Sequence, residues 1–381
     1  DVCSSDLDTI NFAKNFLAEG GKIHVGGVAA TLVPEAIKAE TGIEPHIGLL
    51  DNPNDLDATN HAIIDTLPLD YSILEEIDYE YPAHDAYFAY TTRGCPRNCA
   101  FCAVKTLEPF YKNYISIGAQ LQRTEEIFGT KRNLLLLDNN VLASSDFDRI
   151  IDEIKACGFA KAATFLPPNE YDIAIKNLRA GFNDRAYIRK ILRLYDKLSS
   201  KLTEWDADIL HIRRKQNSLL CEAAATKEAI LALDEFVKPL FGKYLRRGKK
   251  IRYVDFNQGL DARMMTQRKA EMLGEIKVKE IHFAWDRWQD KESVLRGLEI
   301  YQRFAKRRPH DHNSIVYTLV NFDTTFEQDL ERIYTLRDMG YWAYVMIYDK
   351  EHCDHKYKRL QRWCNNRIIF AKCAKFEDYK G

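Results

Sequence analysis

Short apolar runs alternate with longer stretches of helical spacing through much of this chain. Residues 86–92 (AYFAYTT) carry the aromatics and threonines that suit a pleated surface, and Arg93-Gly94 interrupts them. Residues 133–137 (NLLLL) are continuously apolar, as expected of a parallel strand buried on both faces. Four further runs read as strands: 251–257 (IRYVDFN), 280–285 (EIHFAW), 314–321 (SIVYTLVN) and 341–347 (YWAYVMI). Helical spacing fills the gaps at 115–128, 266–274, 292–304 and 326–339, and the segment SSDFDRIIDEI is a further helix. Strands that alternate with helices in this way predict an α/β fold with parallel pairing. Between about 167 and 250 the alternation stops. There Ile188, Ile191, Leu192, Tyr195, Leu198 and Leu202 recur on one helical face, and Ile230, Leu233, Phe236, Val237 and Leu240 on another, which predicts a helical insertion.

Ahead of residue 86 the pattern changes. INFAKNFLAEG has helical spacing up to Gly20-Gly21, residues 22–27 (KIHVGG) read as a short buried strand, and 46–51 (HIGLLD) as a second. PNDLDATN is loop-like, and LPLDYSILEEIDYEYP reads as a connector, with a boundary at 83–85. Expected units are therefore 8–85, 86–350 and a helical tail at 351–381. The first seven residues, DVCSSDL, are what a widely used sequencing adaptor encodes, so residues 1–7 are expected to be foreign, the gene truncated and Cys3 without meaning.

The 381 residues are 46% hydrophobic, enough for a large core, and the net charge of -1 leaves no global footprint for nucleic acid or an acidic membrane surface. The basic runs Arg213-Arg214-Lys215 and 243–250 (KYLRRGKK) read as solvated helical surface, so a nucleic-acid partner is not indicated. With no apolar run of membrane-spanning length and no secretory pattern, the chain reads as soluble and cytoplasmic, without a membrane partner. Nine cysteines then fit a reducing compartment rather than a disulfide framework.

Three of those cysteines limit the chemistry most. Cys95, Cys99 and Cys102 stand in the run TTRGCPRNCAFC, at a spacing that can hold three irons of a [4Fe-4S] cluster and leave the fourth iron open. A structural zinc site is the alternative, but closed zinc sites draw four ligands from paired knuckles, and no fourth ligand lies close by in sequence. Phe101, directly before the last cysteine, sharpens the pattern: Cys-x3-Cys-x2-Cys with an aromatic at that place resembles the signature of the radical S-adenosylmethionine (radical SAM) superfamily.

That resemblance implies a partial (β/α)6 TIM-like barrel over 86–350, with the cysteines in the loop after its first strand and the helical insertion at about 167–250. It implies a [4Fe-4S] cluster held by Cys95, Cys99 and Cys102, S-adenosylmethionine on the open iron with its adenine against the backbone at Phe101, and an external electron donor of flavodoxin or ferredoxin type. Asp138, Asn139 and Asn140, at the end of the second strand, stand where the family binds the amino group of S-adenosylmethionine, although its usual Gly-Gly-Glu is replaced. Strand ends also carry Asn257, Gln258, Asp261, Arg263, Asp286, Arg287, Asn321, Asp323, Tyr348 and Asp349. Among these, Arg263 is expected to pair with the methionine carboxylate and Gln258 to touch cofactor. Val25-Gly26-Gly27 followed, after Val28, by AATLVPEAI resembles part of the Rossmann-like, cobalamin-binding-like domain that precedes many such barrels. The family's cobalamin histidine loop is absent, so cobalamin binding is undecided.

Expected function is therefore reductive cleavage of S-adenosylmethionine to a 5'-deoxyadenosyl radical acting on a substrate that no residue identifies. The alternatives are a cobalamin-dependent radical SAM methyltransferase, and a non-catalytic iron-sulfur or nucleic-acid-binding protein on the same barrel. His352, Cys353, His355, Cys364 and Cys373 near the C-terminus have no recognised ligand rhythm, and Cys157 and Cys221 read as core thiols.

Overall fold

The computed structural model describes residues 4–305 and 313–381, so Cys3 lies outside the described residues. Strands β1 (Ala86–Ala89), β2 (Asn133–Leu136), β3 (Thr164–Phe165), β4 (Lys250–Ile251), β5 (Val254–Phe256), β6 (Ile281–Ala284), β7 (Ser314–Val320) and β8 (Trp342–Ile347) follow in chain order. β1, β2 and β5 form one parallel sheet, with Ala86 opposite Asn133 and Leu134 opposite Val254. β6, β7 and β8 form a second, with Ile281 opposite Ser314 and Ile315 opposite Trp342. Isolated parallel bridges, Val254 with Val278 and Leu260 with Phe283, link the two. The fold is thus α/β, with small parallel sheets and helical connections.

The burial of β2 differs from the expectation. Leu134 and Leu136 are buried while Asn133 and Leu135 are only partly covered, so one face of the strand carries the core and the other stays accessible. β8 shows the same asymmetry, with Tyr344 37% and Met346 38% exposed, whereas β7 is the strand buried on nearly every residue. Residues 251–257 split at a break: β4 pairs antiparallel with β3, and only β5 joins the parallel sheet.

The β3–β4 ladder is the stem through which the chain enters and leaves the helical insertion. Helices Glu170–Arg179, Asp184–Ser199, Glu204–Gln216 and Lys227–Tyr244 pack around a core of their own, in which Tyr171 stacks on Phe241 with ring centroids 4.2 Å apart and donates to Asp234 at 3.0 Å. The larger core lies between the parallel strands and helices that include Phe147–Ile154, Gln267–Leu273, Lys291–Phe304, Phe326–Asp338 and His355–Asn365. Within it Arg332 is fully buried and donates to Trp285 O and Leu319 O, both at 2.6 Å, and to Asp329 at 2.5 Å. One guanidinium thus satisfies carbonyls at the C-terminal ends of β6 and β7.

The tail helix His355–Asn365 covers the free edge of β8, where the Asn365 side chain accepts from Val345 N at 2.8 Å and Gln361 donates to Val345 O at 3.1 Å. Ahead of β1 the expected strands at 22–27 and 46–51 do not form. Lys22, His24 and Gly26 are exposed, no ladder partners the segment, and a single bond from His46 N to Val25 O at 2.7 Å joins the two stretches. Residues 8–85 therefore supply no strand among those described, and with no strand there is no Rossmann-like sheet. Among the described residues no helix is long and apolar enough to cross a membrane.

Helix Lys291–Phe304 is set against the turn that carries Arg263 by one glycine. A Cβ on Gly297 would fall 1.9 Å from Ala262 O. Gly297→Ala is therefore expected to destabilise the fold by about 1–3 kcal/mol through overpacking, read as a lower urea midpoint at unchanged slope. A midpoint equal to that of the parent would show that the helix does not depend on this contact.

Candidate functional site: the cysteine loop and its cleft

β1 ends at Ala89, and the chain then runs to Cys102 with one isolated bridge, Arg93 to Lys112, as its only backbone pairing in ladder form among the described residues, so side chains do much of the fixing. The first fixing point is Asp138, just beyond β2. One of its oxygens accepts from Thr91 Oγ1 at 2.8 Å, from Thr92 Oγ1 at 2.7 Å and from Thr92 N, while its second oxygen is buried without a partner. Burial pushes the Asp138 carboxyl above its ordinary value against these hydrogen bonds. Glu108 provides the second point. It accepts from Arg93 Nη1 at 2.8 Å, from Gly94 N at 2.6 Å and from Asn139 Nδ2 at 2.8 Å. Arg93 is buried, lies 3.3 Å from the centroid of the Tyr90 ring, and also binds Asp65 of the connector. Gly94 has φ +70, and a Cβ there would fall 2.7 Å from Phe110 O, so only glycine fits where the loop turns toward its first cysteine.

Cys95, Cys99 and Cys102 all line one cavity of about 120 Å³ beyond these anchors, together with Phe101, Asn139, Asn140, Arg263 and Asp286. Arg97 N and Asn140 Nδ2 approach Cys95 Sγ at 3.4 and 3.5 Å. Burial pushes the Cys99 thiol above its ordinary value; the Arg263 guanidinium opposes this, and the Cys102 and Cys95 sulfurs add to it. The three sulfurs share the walls of this cavity. They are not drawn into a ligating cluster: among the described residues no group of three Cys, His, Asp or Glu side chains is placed to hold a metal ion.

Opposite the cysteines stands an ionic group that the spacing did not reveal. Asp261 receives Arg263 Nε at 2.7 Å and Nη2 at 3.0 Å, and also Arg97 Nε at 3.2 Å, while Arg263 Nη1 donates to Asp290 at 2.5 Å. Although its burial acts the other way, Asp261 is held below the ordinary carboxylate range by Arg263. The two-pronged face of Arg263 expected to meet a methionine carboxylate is thus occupied by Asp261. Two of its five N–H groups remain for another acceptor. Asp286, just past β6, is pushed up to about 6 by burial, and its Oδ1 is buried without a partner.

Other expected site residues fall outside. Asp138 does not line the cavity, because it serves the threonines beneath the loop. Gln258 and Asn257 are exposed on the segment after β5 and also stay out of it. Of the other strand-end residues, Arg287 lines the cavity, while Asn321 donates to Tyr348 O at 2.9 Å and Asp323 stands 3.6 Å from Arg287. Phe101 packs edge-on against Phe322, centroids 5.5 Å apart, and Phe322 against Tyr348 at 4.8 Å. Arg97 and Asp290 were missed; Arg97, set between two of the cysteines, was the readable signal, whereas Asp290 gave none.

The remaining cysteines are occupied elsewhere. Cys364 is fully buried and donates to Ala343 O at 3.0 Å, and Cys353 and Cys373 each donate to a nearby backbone carbonyl. Cys157 packs partly buried against the large core. Cys221, expected in a core, is exposed because it follows the helix Glu204–Gln216 in a surface turn.

No protein-family model and no curated protein matches this chain. The geometry around Glu108 makes its own prediction. Glu108→Ala strips an acceptor from buried Arg93 and from Gly94 N, and is expected to cost about 2–4 kcal/mol. It should also raise amide exchange at Gly94 far more than in the strands. Unchanged exchange at Gly94 would mean that the loop is held by something else.

Proposed function

We propose that this chain is a radical SAM enzyme, with Cys95, Cys99 and Cys102 as ligands of a [4Fe-4S] cluster whose open iron takes S-adenosylmethionine. The observation that carries the reading is the meeting of sequence and place. A Cys-x3-Cys-x2-Cys motif with Phe101 before its last cysteine falls in the loop after the first strand of a succession of parallel strands, and all three thiols face one cleft. The strand order β1-β2-β5 and β6-β7-β8, with parallel bridges between the sheets, is compatible with a partial (β/α)6 barrel. Donors near Cys95 and a cationic Arg263 across the cleft suit sulfur ligands and a cluster of net negative charge.

The fit has two open sides. The cavity of about 120 Å³ is smaller than the roughly 300 Å³ at which small-molecule sites begin, so a nucleoside needs the cleft to widen. The three thiols must also gather, and an irregular loop anchored at Thr91, Thr92, Arg93 and Gly94 can do so beyond its anchors without disturbing the strands. When bound, the cluster and S-adenosylmethionine together supply a reductively formed 5'-deoxyadenosyl radical, with the electron delivered by a flavodoxin- or ferredoxin-type donor. The chain's part is to bind and to shield. Asn139 and Asn140 at the β2 end are the groups offered to the ammonium, the free N–H groups of Arg263 to the carboxylate, and the unpartnered oxygen of Asp286 to a hydroxyl. Cobalamin has no support from residues 8–85, where Gly27 only heads the five-residue helix Val28–Leu32.

Anaerobic reconstitution with iron and sulfide, dithionite reduction and chromatography for 5'-deoxyadenosine test the proposal. The parent should form the nucleoside, and Cys95→Ala, Cys99→Ala and Cys102→Ala should each lose it together with the brown chromophore. Cys364→Ala should keep its iron. A full, stable cluster in all three loop variants would overturn the assignment. A four-iron cluster that never cleaves S-adenosylmethionine would favour the non-catalytic alternative.

A further inference from the structure

A second cavity, of about 550 Å³, lies away from the cysteine cleft. Its walls come from the connector at 71–85, from residues 130–132 at the N-terminal end of β2, and from the insertion helix Asp184–Ser199. It thus lies at the end of the sheet opposite the strand ends that carry the cysteine loop and Arg263. Its volume is within the range of about 300–1,000 Å³ that small-molecule sites occupy.

The charges along it are unevenly matched. Glu75 takes Lys190 at 2.7 Å and Arg193 at 2.6 Å, and so is neutralised twice over. Asp78 pairs with Arg189, and Glu80 lies 3.9 Å from His84. Asp85 accepts from Asn133 at 3.1 Å, and Glu170 stands in the first turn of the helix Glu170–Arg179. Against these, Lys131, Arg132, Lys197 and Lys250 all line the cavity, and none has a carboxylate within ion-pair distance among the described residues. Lys131 is the most exacting of them. Its ammonium lies 4.3 Å from the Tyr71 ring centroid, and its single hydrogen bond among the described residues is a long one to Phe128 O at 3.4 Å, although an ammonium has three donors to place. Burial pulls Lys131 down to about 8, with Lys190 adding to the effect and Glu75, Glu170 and Asp85 opposing it, so the group is still mostly cationic near neutrality. A partly buried ammonium with spare donors is costly until an anion completes it.

We propose that this cavity binds a small polyanion of the phosphate-ester class, with Lys131, Lys197 and Lys250 as its charge partners. Ammonium groups on separate flexible stems suit charge spread along a phosphate chain, whereas a single carboxylate is matched better by one planar fork. Tyr79, Tyr81 and Phe165 on the same walls give the organic part of an ester an apolar surface. Because the cavity is shared by the connector, the sheet and the insertion, a bound ligand ties the three together and stabilises the folded chain by mass action.

Calorimetric titration of the full chain with inorganic pyrophosphate at low ionic strength tests this, with sulfate at matched ionic strength as the control. One saturable site is expected, together with a melting temperature that rises with pyrophosphate concentration. Lys131→Met should weaken binding about tenfold or more, and so should Lys197→Gln, which lies on a helix surface and leaves folding intact by circular dichroism. Cys99→Ala should bind as the parent does. Absence of saturable heat, sulfate binding as tight as pyrophosphate, or the parent's affinity retained in both lysine variants would overturn the proposal.

Discussion

The arrangement of the site depends on one carboxylate. Glu108 lies in the return segment of the cysteine loop and gathers donors from three directions: buried Arg93 beside β1, the backbone at Gly94, and Asn139 beyond β2. Arg93 in turn reaches Asp65 of the connector, so a single ionic knot joins the loop, the neighbouring strand and the segment that leads into the sheet. Backbone bonds help at the base, where Arg93 and Lys112 exchange N–H···O contacts at 3.2 and 2.9 Å and Ile115 N donates to Thr91 O at 2.7 Å, but beyond Gly94 no ladder continues and side-chain contacts of this kind do the positioning. With the base fixed and the segment beyond Gly94 outside helix and strand, the cysteines combine a defined position with local freedom. Buried ion pairs contribute little net stability on average, so the value of this knot lies in where it puts the loop rather than in free energy.

The parallel strands were legible because their apolar runs are short, rich in β-formers and bounded by turns; β6, β7 and β8 match the runs at 280–285, 314–321 and 341–347 within a residue or two. Residues 251–257 misled because periodicity cannot show a switch of partner, and the break between β4 and β5 depends on β3, nearly ninety residues earlier. KIHVGG failed for a different reason. Its apolar positions suit a strand, but a strand exists only where a neighbour supplies hydrogen bonds, and residues 8–85 supply one bond at that place. The insertion was visible as helical spacing, and its independent core around Tyr171, Tyr195 and Phe241 follows from the two apolar faces that the spacing exposes.

Within the site, the three cysteines and Phe101 could be read because their chemistry is written in local spacing. How the ionic groups pair could not. Asp261, Asp290, Arg97 and Arg263 come from three separate loops, and only the fold decides that Arg263 gives its fork to Asp261. Asp138 shows the same limit from the other side: a residue suited to bind an ammonium is instead used by Thr91 and Thr92 below the loop, and its neighbours Asn139 and Asn140 face the cleft. Sequence position put all three at a strand end, and the partners that the fold supplies sorted them.

The central claim is that the cysteine loop holds a four-iron cluster with one iron open to S-adenosylmethionine. Electron paramagnetic resonance of the anaerobically reconstituted, dithionite-reduced chain, recorded with and without S-adenosylmethionine, addresses that iron directly. The account predicts the signal of a reduced four-iron cluster whose g-values shift when S-adenosylmethionine is added. A cluster signal unchanged by S-adenosylmethionine would show that the open position is missing, and absence of any four-iron signal would remove the cluster from the account.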